Sequence, residues 1–234
     1  MKLLLISNST NAGEAYLEYP KQNIKEFLGE KIKKVLFVPY AAVTFSFDEY
    51  AQKVQTRFAE IGIEVASIHT FKNPIEAVQN AEAIVVGGGN TFHLTKMLQE
   101  NNLITAIREK VLGGTPFVGW SAGSNVACPT ICTTNDMPIV QPQSFSVLNL
   151  VKFQINPHYL DANPDGHAGE TREQRIEEFL EANKNTFVVG LREGTMLQIE
   201  NQQIKLIGKR SARIFKFGTQ AKELNSQNDF GFLM

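Results

Sequence analysis

The chain has 234 residues, with 23 Lys and Arg against 24 Asp and Glu and two cysteines. That length suits one α/β domain burying about 70–75% of its unfolded surface. Charges that nearly cancel, with no basic stripe, exclude electrostatic binding to nucleic acid or an anionic membrane as the leading role. Cys128 and Cys132 build neither a zinc quartet nor a disulfide framework, and read as small apolar residues lining a wall.

The first apolar run, "LLLIS" (Leu3–Ser7), is too short for a signal-peptide core and leads at once into polar Ser7-Asn8-Ser9. It reads as a buried strand, nothing resembles a transmembrane span, and a cytoplasmic location is expected. Further strands are expected at "VLFVP" (Val35–Pro39), "EVASI" (Glu64–Ile68), "AIVVG" (Ala83–Gly87) and "PFVGW" (Pro116–Trp120). Phe47, Tyr50, Ala51, Val54, Phe58 and Ile61 recur at steps of three and four, one face of a helix. Thr91–Gln99 and Leu103–Leu112 read as helices, the second stopped by Gly113-Gly114. Continuous apolar strands between helices predict a mostly parallel sheet covered on both faces, with ligands beyond the strands' carboxyl ends. After Ala127 a proline-marked stretch runs to Gln143; then come a helix at Thr171–Asn183, the strand "TFVVG", and a hairpin of "MLQIE" and "IKLIG" around Asn201-Gln202-Gln203. No linker, repeat or low-complexity tract divides residues 1–234, so one domain is expected.

Three features fall at expected strand ends. "GWSAG" spaces Gly119, Ser121 and Gly123 as a strand-to-helix nucleophile elbow, a turn too tight for side chains at the flanking positions. "GGGNTF", Gly87–Phe92, lets backbone approach another group closely and frees amides for an anion. Phe92 stands where a dinucleotide fingerprint needs glycine, leaving a phosphate cradle or half of an oxyanion hole. An elbow uses the amide after its serine, here Ala122, with a second from Gly88 or Gly89.

The third feature is "INPHYLDANPDGHAGETREQR". A serine hydroxyl needs a base, and histidine is the usual one. His69 reads as solvated surface, His93 as a helix residue, and His167 falls in a Gly-rich loop; His158, just past "FQI", is the best base. For the acid that orients it, Asp136 and Glu193 are both candidates.

Taken together, "LLLISNST", "VGGGNTF", "GWSAGSN", "ACPTICTTNDMPIV", "QINPH" and "GHAGETREQRI" resemble the peptidase E family of serine peptidases, the α-aspartyl dipeptidases. The resemblance spans nearly the whole chain and is less clear beyond Gly208. It implies a three-layer α/β sandwich of the class I glutamine-amidotransferase, flavodoxin-like type with a nucleophile elbow. It also implies cleavage of short peptides bearing an N-terminal aspartate, without metal or cofactor. By match, Ser121 is the nucleophile, His158 the base and Asp136 the preferred acid, with Glu193 the alternative.

Selecting an aspartate requires a cation in a partly dry pocket, and arginine's planar fork suits a carboxylate best. Arg172 in "GETREQR" is the expected reader, and Glu170 or a backbone carbonyl the acceptor for the substrate ammonium. Two other classes remain: an α/β-hydrolase esterase, which shares the elbow, and a non-enzymatic phosphate- or nucleotide-binding module built on "GGGNTF".

Overall fold

A computed structural model describes residues 1–166 and 168–234. In chain order its elements are β1 (Lys2–Ile6), α1 (Lys21–Leu28), β2 (Lys34–Val38), α2 (Phe47–Ala59), β3 (Glu64–Ser67), α3 (Pro74–Gln79), β4 (Ile84–Val86), α4 (Thr91–Glu100), α5 (Leu103–Leu112), β5 (Phe117–Trp120) and α6 (Ala122–Asn125). They continue as β6 (Gln154–Pro157), α7 (Arg172–Ala182), β7 (Phe187–Leu191), β8 (Met196–Glu200), β9 (Gln203–Ile207), β10 (Ala212–Lys216) and β11 (Lys222–Leu224).

A seven-stranded sheet has the order β3-β2-β4-β5-β1-β8-β9. Its first five strands are parallel, and the β8–β9 hairpin adds two antiparallel strands beside β1. Alternation along each strand creates two cores. Leu3, Leu5, Leu36, Val38, Ile84 and Val86 face α3, α4, α5 and α6. Leu4, Ile6, Val35, Phe37, Val85 and Val118 face α1 and α2. Both faces are buried, which is why these strands read as unbroken apolar runs.

Helix starts follow local chemistry. Ser46 and Glu49 form a reciprocal capping box at α2, and Thr171 and Gln174 another at α7. Thr171 is thus the cap of α7 and not its first turn. Asn201 and Gln202 both take left-handed backbone (φ 52° and 61°), so the hairpin turn is two residues long and Gln203 already belongs to β9.

Sequence periodicity did not anticipate a second, four-stranded sheet, β11-β10-β7-β6. Here β6 and β7 run parallel, with Pro157 opposite Leu191, and α7 packs Ile176 and Leu180 onto Tyr159, Val188 and Phe215. Two helices, α1 and α3, also went unread. Cys128 is buried behind the elbow, its thiol pushed up to about 12 by burial, whereas Cys132 is exposed and lines no wall.

Candidate active site

The main sheet presents Ser121 at the carboxyl end of β5. Its backbone (φ 53°, ψ −114°) is neither strand nor helix, a strained state for a residue with a side chain. Neighbours leave no alternative. A Cβ on Gly119 would overlap the Gly123 carbonyl, and one on Gly123 would overlap the Val86 carbonyl. The Ser124 hydroxyl lies 2.7 and 2.8 Å from the Ile6 and Gly119 carbonyls and shares its one proton between them, locking the turn from inside.

His158 lies one residue beyond β6 and is left-handed too, at φ 53°. Its Nε2 stands 3.0 Å from Ser121 Oγ, and its Nδ1 stands 2.7 Å from Glu193 Oε1. Glu193 sits between β7 and β8, so the contacts follow the chain order serine, histidine, glutamate. The His158 and Glu193 side chains are about 40% exposed, so this line of contacts is open to solvent.

The preferred acid, Asp136, makes none of these contacts. One oxygen, Oδ2, accepts from the Thr91 amide at 2.7 Å, the Thr91 hydroxyl at 2.6 Å and the Thr134 hydroxyl at 3.1 Å. The reason is local. Thr91 opens α4, whose N-terminal amides and dipole favour an anion. The preceding residue, Asn135, turns the other way, donating to the Pro157 carbonyl at 2.6 Å. The carboxylate on the imidazole is therefore Glu193.

The glycine loop meets Ser121 closely: a Cβ on Gly88 would lie 3.0 Å from the Ser121 Cβ. Gly89 adopts φ 139° and abuts the Ala41 carbonyl, where any side chain would collide. The loop is tied at both ends, by the Gly87 amide to Val38 and the Asn90 amide to Ala41. The amides of Gly88, Gly89 and Ala122 have no acceptor among the described residues. Behind them the Tyr50 hydroxyl donates to the Gly88 carbonyl at 2.9 Å and accepts from Trp120 Nε1 at 3.2 Å. Burial pushes that hydroxyl up to about 12, so it stays a donor at neutral pH.

Arg172 is the first residue of α7 and is half-buried, with no hydrogen bond or ion pair among the described residues. Burial and neighbouring Arg175 lower its pKa, while the nearby Asp136 charge acts the other way. Glu170 is exposed, its carboxylate 3.8 Å from Arg175. His69 is mostly buried, held by Ser67 at 2.7 Å and Asp48 at 2.9 Å, which corrects its reading as solvated surface. His93 Nδ1 lies 2.7 Å from the Tyr40 carbonyl, and His167 falls outside the described residues.

One neighbour of Glu193 was missed. Arg192 is largely buried and forks onto Glu223 at 2.8 Å twice, while also gripping Asp161, three residues after His158. It draws the Glu223 carboxyl down to about 2. Its only trace in the sequence is a charge beside "FVVGL", the kind of residue that stays buried when paired. Among the described residues, no group of three or more His, Cys, Asp and Glu side chains is placed to hold a metal ion, and no helix is long and apolar enough to cross a membrane.

Comparison with known proteins agrees with this architecture. The model of Peptidase family S51 matches residues 3–207. A protein named peptidase E from Nostoc sp. is 55% identical over 233 residues, covering 100% of this chain and 96% of that one. Another of the same name, from Shigella flexneri serotype 5b, is 45% identical over 230 residues, covering 98% and 100%. Among solved structures, a peptidase from an acI-B1 actinobacterium superposes with a TM-score of 0.71 at 18% identity, covering 98% and 96%. A putative peptidase E from Listeria monocytogenes gives 0.67 at 21% identity, covering 89% and 98%. These two speak to the fold, and the family match over most of the chain decides the assignment: the chain belongs to peptidase family S51.

Proposed function

We propose that this peptidase is a cytoplasmic serine exopeptidase, hydrolysing dipeptides and short peptides with an N-terminal aspartate through an acyl-enzyme. The observation that carries the reading is the unbroken line of contacts from Ser121 through His158 to Glu193. Glu193 accepts a hydrogen bond from Nδ1–H and so keeps the proton on that nitrogen, which leaves Nε2 as the acceptor facing Ser121 Oγ. Ser121 attacks the scissile carbonyl and its proton passes to Nε2. The oxyanion so formed takes hydrogen bonds from the Gly88 and Ala122 amides, with Gly89 the alternative donor. His158 then gives the proton to the leaving amine. Water, activated by the same imidazole, releases the aspartyl group.

For specificity, Arg172 reads the aspartate side chain. A half-buried guanidinium with no partner among the described residues gains two charged hydrogen bonds from a carboxylate, whereas an apolar residue offers it none. The substrate ammonium needs an acceptor; Glu170 leans toward Arg175, which favours a backbone carbonyl at the strand ends. Arg172 also weighs against the esterase reading, whose pocket would be broadly apolar.

The test is a dipeptide panel of Asp-Leu, Glu-Leu, Asn-Leu and Leu-Leu, alongside nitrophenyl esters. Asp-Leu should lead Leu-Leu in kcat/KM by about 10⁴, the scale on which a site built for a polar group rejects an apolar one. Equal rates across the panel would end the aspartate reading, and faster ester than peptide hydrolysis would favour the esterase. Ligand-induced stabilisation that survives Ser121→Ala, without hydrolysis by the unsubstituted protein, would favour a binding module.

A further inference from the structure

The last residue of β1 and the polar run after it take no part in the chemistry above, yet together they touch the backbone around all three triad members. The Ile6 carbonyl accepts the Ser121 amide at 3.0 Å. Ser7 is fully buried, and its hydroxyl accepts the His158 amide at 3.0 Å while donating to the Leu191 carbonyl at 2.7 Å. The Ser7 amide itself donates to the Thr195 carbonyl at 3.0 Å. Asn8 Oδ1 accepts the Gly194 amide at 2.9 Å. Leu191, Gly194 and Thr195 bracket Glu193 in the chain.

We infer that Ser7 is a positioning residue for the triad: one buried hydroxyl joins the backbone of the base to the loop carrying its carboxylate. The inference rests on the serine-peptidase reading. Its physical basis is that the triad straddles two sheets. Ser121 rides on the main sheet, whereas His158 and Glu193 extend from β6 and β7 of the second. Ser7 follows the strand that pairs with β5, in register from Leu3–Phe117 to Ile6–Trp120. It therefore crosses from the serine's sheet to the histidine's.

A hydroxyl suits the crossing because it donates and accepts at once. The β6–β7 ladder ends with Pro157 opposite Leu191, so the His158 amide lies beyond it and finds its acceptor in Ser7. Leu191 also accepts the Tyr159 amide at 3.1 Å, so the left-handed turn at His158 is held on both sides. Such a backbone state persists only where its surroundings over-determine it. Without the hydroxyl, the His158 amide would lose its acceptor, and the turn that aims Nε2 at Ser121 Oγ would be held from one side only.

The experiment compares Ser7→Ala, Ser7→Cys and Ser7→Thr with the unsubstituted protein, all normalised to folded protein by circular dichroism. It measures kcat and KM on Asp-Leu and the rate at which a serine-directed phosphonate labels Ser121. Displacing a catalytic group by about 1 Å costs on the order of 10²-fold. Ser7→Ala should therefore lower kcat by about 10- to 100-fold, leave KM within about twofold, and slow labelling in parallel. Ser7→Thr, which keeps the hydroxyl, should recover most of both rates. If Ser7→Ala does not fold, Ser7→Cys, which keeps the volume but weakens both bonds, should show the same fall. Unchanged kcat and labelling in a folded Ala or Cys variant would overturn the inference, as would a loss confined to KM or a Thr variant no better than Ala. Failure of the unsubstituted protein to be labelled at Ser121 would instead sink the serine-peptidase reading itself.

Discussion

Asp136, in the loop between α6 and β6, and Glu193, between β7 and β8, are two carboxylates whose neighbours give them different work. Asp136 lies 15 positions after Ser121 in the chain, but its Oδ2 is engaged by an α4 amide and two hydroxyls. Glu193 is far away in sequence, yet its Oε1 meets His158. The contrast teaches that a carboxylate's role follows from the donors it meets. A helix N-terminus captures the nearer acid, and the β6–β7 pairing delivers the farther one to the imidazole.

Removing the proposed nucleophile is the largest perturbation. Ser121→Ala should fold normally and retain only the roughly 10³–10⁴-fold advantage over water left to oxyanion donors and binding. Turnover near that of the unsubstituted protein would show that the loop contacts serve something other than nucleophilic catalysis.

The two acids are separated next. Glu193→Gln keeps the shape but favours the wrong imidazole tautomer, with about 10⁴ lost from kcat as the expected scale. Asp136→Asn should act mainly on stability. Weakening charge-assisted bonds at the start of α4 costs about 2 kcal/mol, a fall in Tm of about 4–8 °C for a chain this size. Parallel kinetics and melting curves check both, and a greater kcat loss in Asp136→Asn than in Glu193→Gln would reverse the contrast.

Arg172 sharpens the comparison from the substrate's side, because it neighbours Asp136 and not Glu193. Arg172→Met should lower the ratio of kcat/KM for Asp-Leu over Asn-Leu by about 10²-fold, with Arg172→Lys between, since lysine keeps the charge but loses the planar fork. An unchanged ratio in the methionine variant would mean that another group reads the carboxylate.

The smallest expected effect concerns the clamp behind Glu193. Arg192 holds the Glu223 carboxyl at about 2, below its ordinary 4.5. A carboxyl lowered on folding contributes stability that is complete above about 4.5 and lost as pH falls toward 2. Glu223→Gln should therefore flatten the pH dependence of Tm between those values. A slope equal to that of the unsubstituted protein would show that Arg192 finds full compensation in Asp161.

Sequence by itself determined the parallel core and the elbow, because both are written in short-range patterns. Leu3–Ile6, Val35–Val38 and Ile84–Val86 are apolar throughout since both faces of the sheet are covered. Gly119 and Gly123 flank Ser121 because backbone crowds both positions. The same short-range patterns left α1, α3 and the four-stranded sheet unread: β11 has three residues, none of them buried, and its pairing with β10 is tertiary. Only the tertiary structure decided which carboxylate meets His158, since that contact depends on the parallel pairing of β6 with β7, which brings residues 158 and 193 together. It also assigned work to residues whose types carry no signal, such as Ser7, an ordinary strand-end serine in sequence, and Arg192, whose partners Asp161 and Glu223 each lie 31 positions away. Hydrogen bonds act over about 3 Å whatever the separation along the chain, so geometry, and not spacing, chose among the acids.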